Sequence, residues 1–237
     1  MGLFKNYDKF LKNIYSQNGE DGVINEILNE LQISDGTCIE FGASKGKDNS
    51  NTFSLVEKGW SALYIESDKE KFVELTETTK NYPYVTLANK FVSSKKGLDD
   101  LNSIIFENNF DPNCVVLSID IDSEDLRVWE VFKGTPSIVV IEINSSIKPG
   151  ILNYHLDKYV GNSFSSTCIT AKKKGYVLLC HTGNLIFLRK DLLRFSRLSK
   201  FYIYAPRLLY KRNWIEKSYI EEYLVYKYNK YIKKYLH

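Results

Sequence analysis

Thr37 to Asp68 reads TCIEFGASKGKDNSNTFSLVEKGWSALYIESD. It opens with a short apolar strand, Thr37 to Phe41. A glycine-bearing loop follows, Gly42-Ala43-Ser44-Lys45-Gly46. A short helix is expected over about Asn51 to Lys58, stopped at Gly59, and then a second strand over Ser61 to Ile65 that ends in Glu66. Strand, glycine loop, helix, strand and acid, in that order, make a nucleoside-binding α/β half. Glu66 follows Gly42 by 24 residues, near the spacing at which an acid accepts hydrogen bonds from a ribose diol. The plainer reading is a structural turn with an exposed Glu66.

The loop narrows the ligand. A dinucleotide site needs G-x-G-x-x-G, so that a pyrophosphate rests on a helix N-terminus. Here the pattern is Glu40-x-Gly42-x-x-x-Gly46. An acid before the first glycine repels a pyrophosphate and suits a cationic ligand such as the amino group of S-adenosylmethionine. An NAD-dependent sugar enzyme is disfavoured for this reason.

Working outward, the α/β rhythm continues. Val23, Ile24, Ile27, Leu28 and Leu31 mark an amphipathic helix over residues 19–32, capped by Ser16 or Asn18. Gln17 beside them has no evident structural task. Ser67-Asp68-Lys69-Glu70 reads as a capping box for a helix to about Lys80. Further strands are expected at Tyr84–Ala88, Cys114–Ile119 and Ser137–Ile141, with helices between them. Of these, Cys114–Ile119 reads as apolar throughout, as a doubly covered parallel strand is. Residues 144–163 read as a long functional loop carrying His155. A helix near Ser165–Lys174 leads to a hairpin, Tyr176–Cys180 and Leu185–Arg189, with His181 at its turn.

Ligands of open α/β sheets bind outside the carboxyl ends of the strands. Five polar clusters fall there: Glu40/Gly42, Glu66, Asn89/Lys90, Asp120/Asp122 and Glu142/Asn144. Spacing of two in SIDID and IEIN points each pair one way along an extended chain. Such hard oxygen donors suit Mg²⁺ or Mn²⁺, or general-base work on a hydroxyl; the alternative is that they orient a ligand amine and bond backbone amides. His155 is a base or a substrate contact. His181 reads as a plain turn residue ahead of a base.

Composition sets the class. The 43% hydrophobic and 26% charged residues are those of a soluble globular protein. Four cysteines, with no CxxC, read as buried thiols of a reducing cytoplasm. Neither a signal segment nor an apolar run of membrane-spanning length is visible. Net charge is +3, but residues 190–237 alone carry +8. The chain therefore divides into a cofactor-binding domain, residues 1–190, and a basic Tyr/Lys-rich helical extension, residues 191–237. The extension is expected to be a surface for homo-oligomer or peripheral membrane contact, outside the active site. No recognised nucleic-acid motif accompanies its charge.

At these residues the chain resembles the FkbM-type methyltransferases of the class I S-adenosylmethionine-dependent group, from about Tyr15 to Asp191. Tyr15-Ser-Gln-x-Gly19-Glu-Asp21 resembles the YSQxGED segment, and Glu40-Phe-Gly42-Ala-Ser-Lys-Gly46 the DVGANxG loop with Glu for Asp. Asp120-Ile-Asp122-Ser123 resembles D-x-E-G, with Asp for Glu and Ser for Gly. Glu142-Ile-Asn144 and Gly183-Asn184-Leu-Ile-Phe187 complete the likeness.

The resemblance implies a Rossmann-like seven-stranded, mostly parallel sheet with one antiparallel strand. It implies O-methyl transfer, with a sugar or glycan acceptor of the capsule or lipopolysaccharide type. The implied cofactor set is Gln17, Glu40, Gly42, Ala43, Ser44, Gly46, Asn51, Thr52, Glu66, Ser67, Asn89 and Asp120. Catalysis is expected from Asp120, Asp122, Glu142 and His155, and metal binding from Asp120, Asp122, Glu142 and Asn144. Because the D-x-E-G segment is substituted, a catalytically inactive cofactor-binding scaffold is the alternative.

Overall fold

The computed structural model describes residues 6–97, 99–195 and 204–214. Seven strands form one sheet: β1 (Thr37–Phe41), β2 (Ser61–Glu66), β3 (Val85–Asn89), β4 (Val116–Ile119), β5 (Ile138–Ile141), β6 (Tyr176–Thr182) and β7 (Asn184–Arg189). Their order is β3-β2-β1-β4-β5-β7-β6. All neighbours pair in parallel except β7, which is antiparallel to both β5 and β6. This is the Rossmann-like sheet of the class I methyltransferase fold, with its reversal beside β5.

Alternation along the strands builds two cores. Ile39, Phe41, Leu63, Ile65, Leu117 and Ile119 face one side. There they meet α4 (Leu101–Glu107), α5 (Asp125–Val131) and α6 (Phe164–Lys173). Cys38, Ala62, Tyr64, Val116, Ile138 and Val140 face the other side. That side is covered by α1 (Glu20–Leu31), α2 (Phe53–Val56) and α3 (Lys69–Thr79). Covered on both faces, β4 and β5 are wholly buried, which is why VLSI and IVVI can be apolar at nearly every position. Each such side chain adds about 1.5–3 kcal/mol of burial free energy.

Local chemistry moves several expected boundaries. α2 is a single turn, because Ser50, Asn51 and Thr52 are drawn inward to Glu40 before the helix begins. The cap of α3 is Asp68, which accepts from the amides of Glu70 and Lys71, so Ser67 is not the first member of a capping box. Ahead of α1, Asp21 Oδ2 gathers the amides of Ile14, Tyr15 and Ser16 at 2.7–2.9 Å. Ser16 Oγ accepts from the Asp21 amide in return.

The hairpin turns through Gly183 alone, at φ +96°. His181 and Thr182 therefore lie within β6 and not in the turn. Both are fully buried, which remote partners allow: Thr182 Oγ1 donates to Glu20 Oε1 at 2.8 Å, and Ser145 and Lys211 engage the two ring nitrogens of His181.

The described part of the basic extension packs against the sheet. Short 3₁₀ turns at Pro206–Leu209 and Arg212–Trp214 bring the chain back to β6. Tyr210 stacks on the His181 imidazole, centroids 5.3 Å apart, and its hydroxyl donates to the Ser145 carbonyl. The helices expected over residues 215–236 lie outside the described residues. Among the described residues no helix is long and apolar enough to cross a membrane.

Candidate active site

The loop after β1 is held by its own backbone. The amides of Gly42 and Ala43 donate to the Ile65 carbonyl at 3.0 and 3.2 Å, and the Gly46 amide to the Ala43 carbonyl. The Ser44 amide donates to Glu66 Oε2 at 2.8 Å, and the Asp68 amide to Glu66 Oε1 at 2.7 Å. With these amides engaged inside the loop, they form no cradle for a pyrophosphate. Glu66 sits at the carboxyl end of β2, 6% exposed, with one further lone pair on each oxygen. Asn89, at the end of the neighbouring β3, donates its amide to the Glu66 and Ser67 carbonyls and so ties the two strand ends together.

Glu40 faces the other way. Its carboxylate accepts from Ser50 Oγ (2.6 Å), Thr52 Oγ1 (2.6 Å), the Asn51 amide (2.9 Å) and Ser118 Oγ (3.4 Å). Burial pushes its carboxyl up from the ordinary range, and the hydroxyl donors pull it back in part. Glu40, expected to meet a ligand amine, pins the start of α2 to β1. Asn51 and Thr52, also expected at the cofactor, belong to the same buried network. Asn51 Nδ2 donates to Ser118 Oγ, Thr52 Oγ1 also bonds the Tyr64 hydroxyl, and both residues are buried. Gly46 serves packing as well, since a Cβ there would stand 2.9 Å from Leu75 Cδ1 of α3.

Over the ends of β1, β2 and β4 lies a depression of about 300 Å³, including its open mouth. Gly42 and Ser67 form part of its rim, with Lys90, Phe91, Ile121 and Ser123 opposite. Phe91 is 60% exposed. An exposed aromatic ring beside apolar Ile65, Val92 and Ile121 fits a flat nucleobase, and Glu66 stands where the attached ribose would lie. The residues thus fit the adenosine part of S-adenosylmethionine. Phe91 and Ile121 escaped the sequence reading; their one signal is an apolar residue just past a strand's carboxyl end.

The acids gather between β4 and β5. Ile119 pairs with Ile141 in the parallel register, so the next residues, Asp120 and Glu142, emerge side by side. Asp122 joins them through a turn at φ +55°, not along an extended strand. One carboxylate oxygen from each of the three lies within 4.8 Å of the others. Burial, then the neighbouring Glu142, drives the Asp120 carboxyl well above the usual carboxylate range. Beneath the turn, buried Asp125 accepts from the amides of Ile121 (2.8 Å) and Ser123 (3.0 Å). Asp125 is a positioning residue that the sequence hid as an ordinary first-turn acid. Three oxygen donors at this separation, half-buried and exposed, fit one Mg²⁺ or Mn²⁺.

Asn144 does not join them. It is 2% exposed, its Nδ2 donates to the Val160 carbonyl, and its Oδ1 accepts from the Ser146 amide and hydroxyl. β5 has ended at Ile141, so the period of two no longer applies. Asn144 braces the long loop, as does buried Asn153, whose side chain bonds the backbone of Lys158, Tyr159 and Gly161. His155 belongs to this bracing too. Its Nδ1 accepts from the Gly161 amide at 3.2 Å, and it lines neither of the cavities bordered by Asp120 and by Gly42.

A second cavity, also about 300 Å³ with its mouth, opens over the acids. Gln17, Asn18, Asn184, Ser145 and Trp214 border it together with Asp120 and Glu142. The YSQNGED segment and the hairpin meet here, because Glu20 Oε1 accepts from Thr182 and Asn184 while Glu20 Oε2 accepts from the Asn18 amide. Ser145 and Trp214 were missed by sequence reasoning.

No family model and no curated protein sequence matches this chain. Solved structures resemble it distantly. The N-terminal domain of EvdMO1, crystallised in the presence of SAH and D-fucose, is 10% identical with a TM-score of 0.48, over 73% of this chain and 83% of that one. A precorrin-6y C5,15-methyltransferase from Geobacter metallireducens is 16% identical with a TM-score of 0.41, over 76% and 92%. A SAM-dependent methyltransferase from Aquifex aeolicus is 11% identical with a TM-score of 0.44, over 77% and 96%. The fold assignment rests on the chain's own strand order and direction, not on these likenesses.

Proposed function

We propose that the protein is an S-adenosylmethionine-dependent O-methyltransferase whose acceptor is a hydroxyl of a sugar or glycan, with a divalent metal held by Asp120, Asp122 and Glu142. The observation that carries the reading is the pair of adjoining sites at the strand ends. An apolar, aromatic-lined depression lies beside Glu66, and a three-carboxylate cluster opens onto a polar cavity next to it.

S-adenosylmethionine supplies a methyl group already activated by its sulfonium. The chain's own task is then to align an acceptor oxygen and take its proton. Glu66 and Ser67 hold the ribose side, and Phe91 and Ile121 flank the base. Asp120, Asp122 and Glu142 provide the negative charge that binds a divalent ion, at which a hydroxyl becomes more acidic. Burial, then Glu142, drives the Asp120 carboxyl upward and so disfavours its ionised form. Metal binding favours its ionised form.

The test is a methylation assay of the purified protein with S-adenosylmethionine and nucleotide-activated sugars, read by mass spectrometry of the acceptor. Formation of a methylated sugar and S-adenosylhomocysteine is expected. Tight cofactor binding with no turnover on any hydroxyl acceptor would instead favour the scaffold reading.

A further inference from the structure

Two cavities meet beside the acids and share three residues, Gln17, Asn18 and Trp214. The inner one reaches Asp120 and Glu142. The outer one, about 580 Å³ with its wide mouth, adds Leu11, Lys12 and Asn13. The lining has a distinct chemistry. Asn13, Gln17, Asn18 and Asn184 each offer an amide that can donate and accept, and Trp214 offers a flat indole. Trp214 Nε1 is buried without a hydrogen-bond partner among the described residues.

The Trp214 wall is anchored, not incidental. Four residues before it, Tyr210 stacks on His181 and its hydroxyl donates to the Ser145 carbonyl. The Lys211 amide donates to His181 Nδ1 at 3.0 Å, and its ammonium pairs with Asp8. With Nδ1 accepting, the imidazole proton sits on Nε2, 2.9 Å from Ser145 Oγ, and the Ser145 hydroxyl proton is left to point elsewhere. Across the gap, Gly183 makes room: a Cβ there would stand 2.7 Å from Asn18 Nδ2.

We propose that Trp214, with Gln17 and Asn18, forms the acceptor subsite and takes a pyranose ring. The ring's C–H face lies on the indole, its rim hydroxyls bond the amides, and one hydroxyl reaches Asp120 and Glu142. Amide side chains around an aromatic face match a ligand whose rim donates and accepts at every carbon while its faces are apolar. A ligand recognised chiefly through phosphates would call for a cluster of cations, and among the described residues Lys12 is the single basic residue of this lining. The subsite rests on the methyl-transfer reading for the role of the acids, but sugar binding can be measured without turnover.

The experiment is calorimetry on the full chain loaded with S-adenosylhomocysteine, titrated with UDP-glucose, UDP-galactose, methyl β-D-glucopyranoside and, as control, UDP. At least one pyranoside should bind the wild type, with UDP weaker by tenfold or more. Trp214→Ala should weaken that sugar at least tenfold and Trp214→Phe by less, with S-adenosylhomocysteine affinity unchanged in both. Asn18→Ala, remote from the tail's anchors, should lose about fivefold and gives the answer if Trp214→Ala does not fold. Sugar binding that depends on Trp214, without methyl transfer, would uphold the subsite and sink the methyltransferase reading. Sugar methylation with an unchanged sugar KM in Trp214→Ala and Asn18→Ala would do the reverse. Binding of none of the pyranosides, or of UDP as tightly as of its sugars, overturns the subsite.

Discussion

A Cβ placed on Gly42 would stand 1.5 Å from the carbonyl oxygen of Asp120. The loop after β1 and the end of β4 thus touch backbone to backbone, and this contact sets the wall between the two sites. Gly42 is also at φ +79°, where other residues are strained. Gly42→Ala must push Asp120 away or unfold the loop. Overpacking costs about 1–3 kcal/mol, and the backbone strain adds about 1–2. Urea unfolding should therefore show a loss of about 2–5 kcal/mol. Any folded fraction should bind S-adenosylmethionine poorly. A variant as stable as the wild type would mean that the loop and β4 are not in contact.

Glu66 has two duties, and substitution separates them. Its oxygens hold the Ser44 and Asp68 amides, and their remaining lone pairs face the expected ribose. Glu66→Ala should weaken S-adenosylmethionine by about 1.5–3 kcal/mol, the range for hydrogen bonds to a charged acceptor. It should also lower stability, because two amides near the loop lose their partner. Glu66→Gln keeps one acceptor oxygen and should restore part of the stability but little of the affinity. Calorimetry beside urea melts reads both, and an unchanged cofactor affinity in either folded variant removes Glu66 from the site.

These two contacts also show which parts were legible in the sequence. β4 and β5 could be read because doubly covered strands are apolar at nearly every position, and their ends announced Asp120 and Glu142. The register of Ile119 with Ile141 then brought those acids together without any further signal. Asn144 was misread because the alternation was carried past Ile141, where the strand stops. The network around Glu40 was not legible, because nothing in EFGASKG tells that Ser50, Asn51 and Thr52 fold back over it. His181 looked like a turn residue because a buried imidazole needs partners, and its partners are 36 and 30 residues away, at Ser145 and Lys211. Trp214 was invisible for the same reason: its place depends on a chain reversal that Tyr210 secures against β6.

His181 gives a pH signature. Burial, followed by the charge of Lys211, lowers its pKa from 6.5 to about 3. The unfolded chain takes up a proton near pH 6.5 while the folded protein stays neutral, so this contribution to stability is full above pH 6.5 and is lost as pH falls toward 3. At about 1.4 kcal/mol per pH unit the loss reaches about 2 kcal/mol by pH 5. His181→Gln removes this slope, so the stability gap between wild type and variant should narrow by that amount between pH 7 and pH 5. Parallel melts in both buffers decide it, and a gap independent of pH would mean that His181 titrates normally.

Asp120 links metal binding to pH. Burial, then Glu142, raise its carboxyl well above the ordinary range, so it gives up its proton less readily than an ordinary carboxyl does. A divalent ion held by Asp120, Asp122 and Glu142 would need the ionised carboxylates, and its affinity should therefore rise with pH. Binding to the folded state alone raises stability by about 2.7 kcal/mol at a hundredfold excess over Kd. Mn²⁺ or Mg²⁺ should accordingly raise Tm in the wild type, more at pH 8 than at pH 6, and leave Tm unmoved in Asp120→Asn. Asn144→Ala should keep the metal shift while destabilising the long loop, since Asn144 bonds Val160 and Ser146 and not the cluster. In turnover assays EDTA should abolish methyl transfer, leave cofactor affinity nearly unchanged, and be reversed by added Mg²⁺ or Mn²⁺. Asp120→Asn should lower turnover by a factor on the order of 100. Full activity after exhaustive chelation, together with no metal-dependent change in Tm, would discard the ion and leave the three carboxylates as an acid–base cluster acting by themselves.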